Sequence, residues 1–290
     1  MQTISIDVGR NEVKGFNGVN EVVFSSIVGS HHILDVKSSF TNYDVEINGT
    51  KYFVADLAKV ESIDKSQIAT KSKIHIDTKI LLLTALQLLA DPKQQFKIIT
   101  GMPVDQYSVK CKRDLTDYLM GEHIVSVNGV TSKFKIDDSN LVMAQESVAS
   151  YWNEVCDIDG NEIDPRKFLD KKVRVIDIGS RTINYSTIDN GTFINTESGS
   201  LDYGIKRITK KAPSIIAEYD ARKSSFTKGI FSDISEQWAD YDNDIMLLTG
   251  GGSLLLEKHL LSFYKNAIIA ENAKMSNAYG MYKIQVADSK

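Results

Sequence analysis

An aspartate followed two residues later by a glycine ends an apolar run at two places in the 290-residue chain. The segments IDVGRNEVKGF (6–16) and IDIGSRTINYS (176–186) align without a gap at a constant offset of 170. A carboxylate at a strand end can hold Mg²⁺, mostly through the waters that the ion retains. A nearby glycine lets the backbone turn its N–H groups toward an anion. The repeat therefore indicates two loops that bind a polyphosphate and its cation, and two unrelated turns are the simpler alternative.

The elements that must position these loops are short strands joined by tight turns. Asn17-Gly18 and Asn190-Gly191 follow the two segments, which predicts that each segment forms a β-hairpin. Further hairpins are predicted about Asn48-Gly49 and Asn128-Gly129. The apolar run ILLLTALQLLA (80–90) predicts a buried helix that is too short to cross a bilayer. Strands and helices in this mixture indicate an α/β fold.

A third glycine-containing segment, DIMLLTGGGSLLLEKHLL (244–261), combines an apolar strand, three glycines, a serine and an amphipathic helix. The glycines let the backbone pass flat against a ligand, and the helix N-terminus offers free N–H groups. Tight packing of the helix on its strand is the alternative. The chain contains no GxxxxGK[ST] sequence, so it is not a P-loop protein.

Composition narrows the class of protein. Hydrophobic residues make up 42% and charged residues 25% of the chain, as in an ordinary globular protein long enough for two domains. The net charge of −4 argues against a broad basic face for nucleic acid. The two distant cysteines, Cys111 and Cys156, and the lack of a signal-peptide pattern predict reduced thiols and a cytoplasmic location.

The order of two Asp-x-Gly hairpins followed by a strand, a glycine run and a helix resembles the superfamily of actin, sugar kinases and Hsp70 ATPases. Several phrases are similar to the bacterial plasmid-segregation actins of the ParM and AlfA type. They are INGTKYFVADLA (47–58), IITGMPVDQY (98–107), DIGSRTINY (177–185), ESGSLDYG (197–204) and NAYGMYK (277–283). The resemblance implies an actin-like fold, in which two duplicated RNase H-like α/β domains surround a nucleotide cleft. We expect domain I to comprise 1–140 plus 272–290, and domain II 141–271.

One interval departs from the family. Only 73 positions separate Asp177 from Gly250, where most relatives insert a small subdomain called IIB. The segment has room for two or three helices, so we expect subdomain IIB to be missing or reduced, as in AlfA. The relatives' base and ribose contacts from that subdomain therefore do not transfer to this chain, and the choice between ATP and GTP stays open.

The resemblance assigns roles to individual residues. Asp7 and Asp177 would act on the metal and its waters. The arginines at 10 and 181 would either pair with phosphate, as their fork geometry favours, or point into solvent, and Lys14 either approaches the phosphates or lies on the strand surface. The implied phosphate-binding residues are Gly9, Arg10, Asn11 and Lys14 in the first loop and Gly179, Ser180, Arg181 and Thr182 in the second, and the implied adenosine-binding residues are Gly250, Gly251, Gly252 and Ser253.

The catalytic candidate lies in NLVMAQESVASYW (140–152), where a strand leads into a helix. Relatives carry Glu or Gln at the start of this helix, where it orients the attacking water. Glu146 matches that place best and Gln145 is second. A carboxylate can also accept the water's proton. A helix N-terminus favours an acidic residue in any protein, so Glu146 also has a purely structural explanation.

The resemblance implies a filament-forming ATPase that uses ATP, or GTP, with Mg²⁺. Protomers would stack head to tail, and the filament would move plasmid DNA through a DNA-binding adaptor on a centromere-like site. No direct contact with nucleic acid and no membrane association are expected. A small-molecule kinase of the same superfamily and a bacterial or phage cytoskeletal actin without a segregation role are the alternatives.

Overall fold

The computed structural model describes residues 1–35, 43–67, 72–210, 215–238, 241–264 and 266–290. The Cα packing divides the chain into two compact units. The first unit contains 1–102 and 106–144, and the second contains 103–105 and 145–290. Both units combine sheets with helices, which confirms the α/β prediction.

The first sheet of the first unit contains the N-terminal strand at its centre. Its described strands follow the order β11-β8-β1-β2-β3. The pair β1–β2 is antiparallel, and β1 pairs with β8 in parallel. The strands are β1 (Gln2–Val8), β2 (Glu12–Phe16), β3 (Glu21–Ser25), β8 (Phe96–Met102) and β11 (Leu141–Gln145).

The second sheet of the first unit is built from hairpins, with the order β10-β9-β5-β6-β4-β7 in the described residues. Positive φ angles at Asn48 and Gly49, and at Asn128 and Gly129, give both predicted Asn-Gly turns the conformation that matches strand twist. The strands are β4 (Val28–Ser30), β5 (Tyr43–Ile47), β6 (Thr50–Val54), β7 (Lys65–Ser66), β9 (Gly121–Val127) and β10 (Val130–Ile136).

Helices cover the sheets of the first unit. The predicted apolar helix is confirmed as α2, and all its leucines except the partly buried Leu88 are buried in one core with β1, β8 and β9. The helices of this unit are α1 (Asp56–Glu61), α2 (Ile76–Leu89) and α3 (Val109–Leu119). A 3-10 turn covers Val104–Gln106, and its first two residues group with the second unit.

The second unit has one sheet, whose described strands follow the order β14-β13-β12-β15-β16. The strands are β12 (Lys172–Ile178), β13 (Ile183–Asp189), β14 (Thr192–Leu201), β15 (Ile245–Thr249) and β16 (Ala267–Ile269). The helices are α4 (Val148–Val155), α5 (Pro165–Phe168), α6 (Lys206–Thr209), α7 (Ile216–Ser235), α8 (Gly251–Phe263) and α9 (Ser276–Ala287).

The repeat seen in the sequence is a repeat of the sheet. In the first unit Asp7 pairs with Lys14, and in the second Asp177 pairs with Asn184, which preserves the offset of 170 on both strands. Each hairpin also has a parallel neighbour on the same side, β8 in one unit and β15 in the other. The duplicated hairpins are therefore equivalent elements of two equivalent sheets.

A buried charged cluster distinguishes the second sheet. Arg174, on β12, is 1% exposed, whereas Ile4 occupies the matching position of β1. The guanidinium Nε donates to Asp244 Oδ2 at 2.7 Å, and Nη1 donates to Glu197 and to Thr187 Oγ1. An ion that is removed from water needs such partners, because each unpaired buried charge costs several kcal/mol.

Two expectations about the chain's organisation meet the structure here. Between β14 and β15 the described residues form only α6 and α7, as expected for a reduced subdomain IIB. The segment 272–290, predicted to belong with domain I, groups with the second unit, because α9 packs on α4.

Cys111 and Cys156 are both free. Across the described ranges no helix is both long and apolar enough to span a membrane.

Candidate functional site

The first hairpin tip places two lysines beside its aspartate. Asp7 is 5% exposed, and its Oδ2 lies 3.3 Å from Lys14 Nζ, across the hairpin. Lys73 Nζ lies 3.9 Å from Asp7 Oδ1 and donates to the carbonyl oxygen of Val8 at 3.1 Å. Lys14 therefore faces the tip rather than the strand surface. The tip combines a carboxylate for a cation with ammonium groups for an anion.

The backbone of the first tip is tightly closed. A Cβ atom on Gly9 would lie 2.6 Å from the carbonyl oxygen of Glu12, so a larger residue would displace the turn. Ser26, which follows β3, holds the turn, because its Oγ donates to the Gly9 carbonyl and its N–H to the Asn11 carbonyl. Arg10 is 7% exposed and donates to the carbonyl of Ser72. The solvent-facing alternative for Arg10 is therefore wrong, whereas its role toward phosphate stays a prediction.

The second tip repeats this backbone with other side chains. A Cβ atom on Gly179 would lie 2.8 Å from the carbonyl oxygen of Thr182, which accepts a hydrogen bond from Gly179 N–H at 3.0 Å. Asp177 is 6% exposed, and its Oδ2 accepts from Asn277 Nδ2 at 2.9 Å. At the position that matches Lys14, the second tip carries Asn184. The glycine geometry is shared, and the residue opposite the aspartate is not.

Two side chains of the second tip fit an anion. Ser180 Oγ and Arg181 Nε are buried and have no hydrogen-bond partner among the described residues. A buried donor without a partner costs about 1–3 kcal/mol. Burial, and then the charges of Arg181 and Lys210, lower the pKa of the Lys206 ammonium group. The backbone N–H of Lys206 donates to the Ser180 carbonyl. A bound phosphate would supply an acceptor to these donors and a counter-charge to this basic group.

The catalytic candidate stands where β11 turns into α4. Glu146 is 8% exposed, and its Oε2 accepts from Asn184 Nδ2 at 3.1 Å. Asn184 is held in turn, because Ser200 Oγ donates to its Oδ1 at 2.7 Å. Gln145 is the half-buried last residue of β11. The amide of Asn184 thus orients the Glu146 carboxylate and links it to the second hairpin.

The glycine run packs against the second tip. Gly250 has a φ of 80°, and a Cβ atom there would lie 2.4 Å from Asp177 Oδ1. A Cβ atom on Gly252 would lie 2.4 Å from Ile178 Cγ2. Ser253 Oγ donates to the Gly250 carbonyl and closes the first turn of α8. Tight packing therefore accounts for Gly250 and Gly252, while contact of Gly250 to Ser253 with adenosine stays a prediction.

The carboxylates suit a magnesium ion that keeps most of its waters. Among the described residues no group of three or more His, Cys, Asp or Glu side chains is arranged to hold a metal. Magnesium in phosphate sites is commonly bound by one or two carboxylates together with waters and phosphate oxygens. Asp7 and Asp177, each buried at a tip, are the donors of that kind.

Sequence reasoning missed three residues that the structure brings to the tips. Asn184 could have been found, because it stands 170 positions after Lys14. Asn277 lies in NAYGMYK, which carried the resemblance but no assigned role. Lys73 precedes α2 in a stretch without any distinguishing pattern.

Comparisons with known proteins agree with this geometry. Residues 5–145 match the family model described as actin-like proteins N-terminal domain. No curated protein sequence matches the chain. A 15-stranded ParM filament from Clostridium botulinum is 21% identical, with 98% of each chain covered and a TM-score of 0.79. The filament of AlfA from Bacillus subtilis plasmid pLS32 is 21% identical, with 97% of this chain and 98% of that chain covered and a TM-score of 0.72.

A third similar structure is an AlfA filament bound to AMPPNP, which is 21% identical, covers 99% of this chain and 98% of its own, and has a TM-score of 0.71. At this level of identity the likeness concerns the fold, and it extends over nearly the whole chain. Three observations support the same fold. They are the duplicated hairpin sheets, the reduced segment before β15 and the family match. Residues 5–145 match the model of actin-like protein N-terminal domains, and the whole chain has the actin-like fold.

Proposed function

We propose that the chain binds a nucleoside triphosphate with Mg²⁺ through both hairpin tips and hydrolyses it. The observation that carries this proposal is the duplicated tip, in which Gly9 and Gly179 bring the backbone to the same close approach. Lysines beside Asp7 in one unit and unpartnered donors at Ser180 and Arg181 in the other support an anionic ligand. The AlfA filament bound to AMPPNP favours an adenine nucleotide.

The chain's own side chains divide the work of hydrolysis. Lys14, Lys73 and the loop N–H groups neutralise and orient the phosphates, while Asp7 and Asp177 hold the waters of the cation. When bound, Mg²⁺ would supply charge stabilisation to the phosphates. Glu146, with its carboxylate fixed by Asn184, aligns the attacking water and accepts its proton. Gln145 is the second candidate for the alignment.

We also propose that the chain forms head-to-tail filaments in the bacterial cytoplasm and drives plasmid segregation. The ParM and AlfA structures that it resembles are filaments, and one comes from a plasmid. A heterologous contact that does not close into a ring produces such a polymer. Because the net charge is −4, the filament would reach centromere-like DNA through a basic DNA-binding adaptor rather than directly.

Sedimentation with nucleotide tests the function. We expect the protein to pellet with ATP and Mg²⁺, to remain in the supernatant without nucleotide, and to release phosphate slowly. Glu146→Ala should still assemble while phosphate release falls by roughly 10²-fold. Assembly with GTP but not with ATP would show that the chain uses GTP.

Three outcomes would contradict the proposal. A protein that stays in the supernatant with either nucleotide at all accessible concentrations would exclude polymerisation of the chain by itself. Phosphate transfer to a sugar or to acetate would identify a small-molecule kinase. Loss of nucleotide binding in Glu146→Ala would mean that Glu146 has a different role.

A further inference from the structure

Asn277, in the first turn of α9, joins the second hairpin tip to the start of α4. Its Nδ2 donates to Asp177 Oδ2 at 2.9 Å, and its Oδ1 accepts from Ser147 N–H at 3.1 Å and from Ser150 Oγ at 2.7 Å. The backbone N–H can only donate and an ionised carboxylate can only accept. These two neighbours therefore fix which way the amide faces.

The turn that Asn277 contacts has an uncommon conformation. Ser147 has φ 64° and ψ −46°, and Val148 N–H donates to the Glu146 carbonyl at 2.8 Å. This is a γ-turn with positive φ, which is rare and strained for a residue other than glycine. Ser147 is fully buried, and its Oγ shares a hydrogen bond with Ser186 Oγ at 2.6 Å. Such a turn persists only where its surroundings hold it.

Close helix packing brings Asn277 to this place. One turn further along α9, a Cβ atom on Gly280 would lie 1.6 Å from the carbonyl oxygen of Ala149 on α4. No side chain fits there, so the two helix backbones are in direct contact. Asn277 therefore lies within reach of both the γ-turn and Asp177.

We propose that Asn277 is a positioning residue that couples the carboxylate of Asp177 to the strained turn that presents Glu146. One side chain then contacts Asp177, the carboxylate assigned to the cation's waters, and the backbone N–H of Ser147, which follows Glu146. Any displacement of Asp177 by a bound cation would be transmitted to the turn through the amide. The catalytic part of this inference rests on the proposed function, whereas the structural link between Asn277 and the turn does not.

Two variants separate the two ends of the coupling. Asn277→Leu removes both the donor to Asp177 and the acceptor for Ser147 N–H. Asn277→Asp keeps an acceptor for Ser147 N–H and Ser150 Oγ but replaces the donor to Asp177 with a second carboxylate. Ser150→Ala is the matched control, because it removes the hydrogen bond to Asn277 and the one accepted from Thr249 Oγ1, and leaves the γ-turn contact and Asp177 in place.

The first measurement is hydrogen exchange at the amide of Ser147 in the full chain without nucleotide. We expect exchange to accelerate by at least roughly tenfold in Asn277→Leu and to stay within about twofold of the original rate in Asn277→Asp and Ser150→Ala. Unchanged protection in Asn277→Leu would overturn the link between Asn277 and the turn. This result does not depend on whether the chain hydrolyses ATP.

The second measurement is ATP affinity and phosphate release as Mg²⁺ is titrated. We expect kcat to fall roughly 10- to 100-fold in Asn277→Leu, while ATP affinity without Mg²⁺ stays within about twofold, because only the alignment is lost. In Asn277→Asp we expect the half-maximal Mg²⁺ concentration to shift at least about fivefold. An unchanged Mg²⁺ dependence in Asn277→Asp would overturn the coupling to Asp177. Failure of the original chain to bind ATP would instead refute the proposed function.

Discussion

The two hairpin tips of the chain have the same backbone and different electrostatic surroundings. Gly9 and Gly179 sit equally close to a carbonyl oxygen three residues ahead, at 2.6 and 2.8 Å from the position of a Cβ atom. Asp7 lies near two lysine ammonium groups, whereas Asp177 accepts a hydrogen bond from the uncharged amide of Asn277. The same loop geometry thus occurs with two lysines beside the aspartate in one unit and with Asn277 beside it in the other.

The residue opposite the aspartate in each hairpin also differs between the tips. Lys14 contributes an ammonium group beside Asp7, and Asn184 contributes an amide that holds Glu146. The two tips share the close glycine turn, and the side chains across each hairpin differ. We infer that the first tip chiefly provides charge for binding and that the second tip chiefly provides alignment for hydrolysis.

The largest expected effect concerns stability rather than activity. Arg174→Leu should lower the free energy of unfolding by about 3 kcal/mol, because Glu197 and Asp244 lose the cation that they share. Ile4→Val, at the matching position of the first unit, should cost about 0.5–1.5 kcal/mol. Urea unfolding measures both. Equal losses in the two variants would show that the charged cluster of the second sheet behaves like an ordinary core.

The next largest effect tests the binding role of the first tip. Lys14→Met should weaken ATP affinity by roughly 10- to 100-fold, since a charge-assisted hydrogen bond contributes about 1.5–3 kcal/mol. We expect kcat at saturating ATP to change far less. Titration with a fluorescent ATP analogue and steady-state phosphate release give the two quantities. A normal affinity with a lower kcat would reverse the roles of the two tips.

At the matching residue of the second tip we expect a smaller effect, on kcat rather than on ATP affinity. Asn184→Leu removes the donor to Glu146 and should lower kcat by roughly tenfold, while ATP affinity stays within about threefold. The same two assays apply. Ser200→Ala, which removes only the hydrogen bond to Asn184 Oδ1, should have a weaker effect in the same direction. Loss of ATP affinity in Asn184→Leu would remove the distinction between the tips.

The smallest effect is the acid sensitivity of the second sheet. Burial opposes ionisation of Glu197, but the hydrogen bond from Lys172 and the charge of Arg174 prevail and lower its pKa below the ordinary value of 4.5. The ionised carboxylate therefore contributes stability above the unfolded pKa, and this contribution is lost as pH falls through the folded pKa. Urea unfolding of the original chain and of Glu197→Gln between pH 6 and 3 should converge at the acid end. A constant difference would contradict the lowered pKa.

Local patterns in the sequence predicted local structure well. The offset of 170 predicted two equivalent hairpins. The Asn-Gly pairs at 48–49 and 128–129 predicted the turns of two other hairpins, because a turn depends on a few neighbouring φ angles. The strand-to-helix transition that carries Glu146 was also predicted, although its γ-turn was not. Nothing in a serine's neighbours announces a positive φ when tertiary packing imposes it.

Partners from distant segments were not predictable from one sequence. Asn277 reaches Asp177 across 100 positions, and Lys73 reaches Val8 across 65. These contacts depend on how α9 packs on α4 and on where the chain before α2 passes the first tip. The assignment of 272–290 to domain I came from the family resemblance, whereas helix packing groups that segment with the second unit. These contacts and the grouping of 272–290 all depend on tertiary packing.

Titration of ATP into glycine variants tests the central claim that both tips bind the same triphosphate. Gly9→Ala and Gly179→Ala place a methyl group against a backbone carbonyl, and Gly229→Ala is the matched control because its Cβ atom meets nothing within 4 Å. We expect each tip variant alone to lose ATP affinity by at least roughly tenfold, with the control unchanged and all three still folded by thermal denaturation. Normal affinity in a folded Gly9→Ala or Gly179→Ala protein would contradict the account.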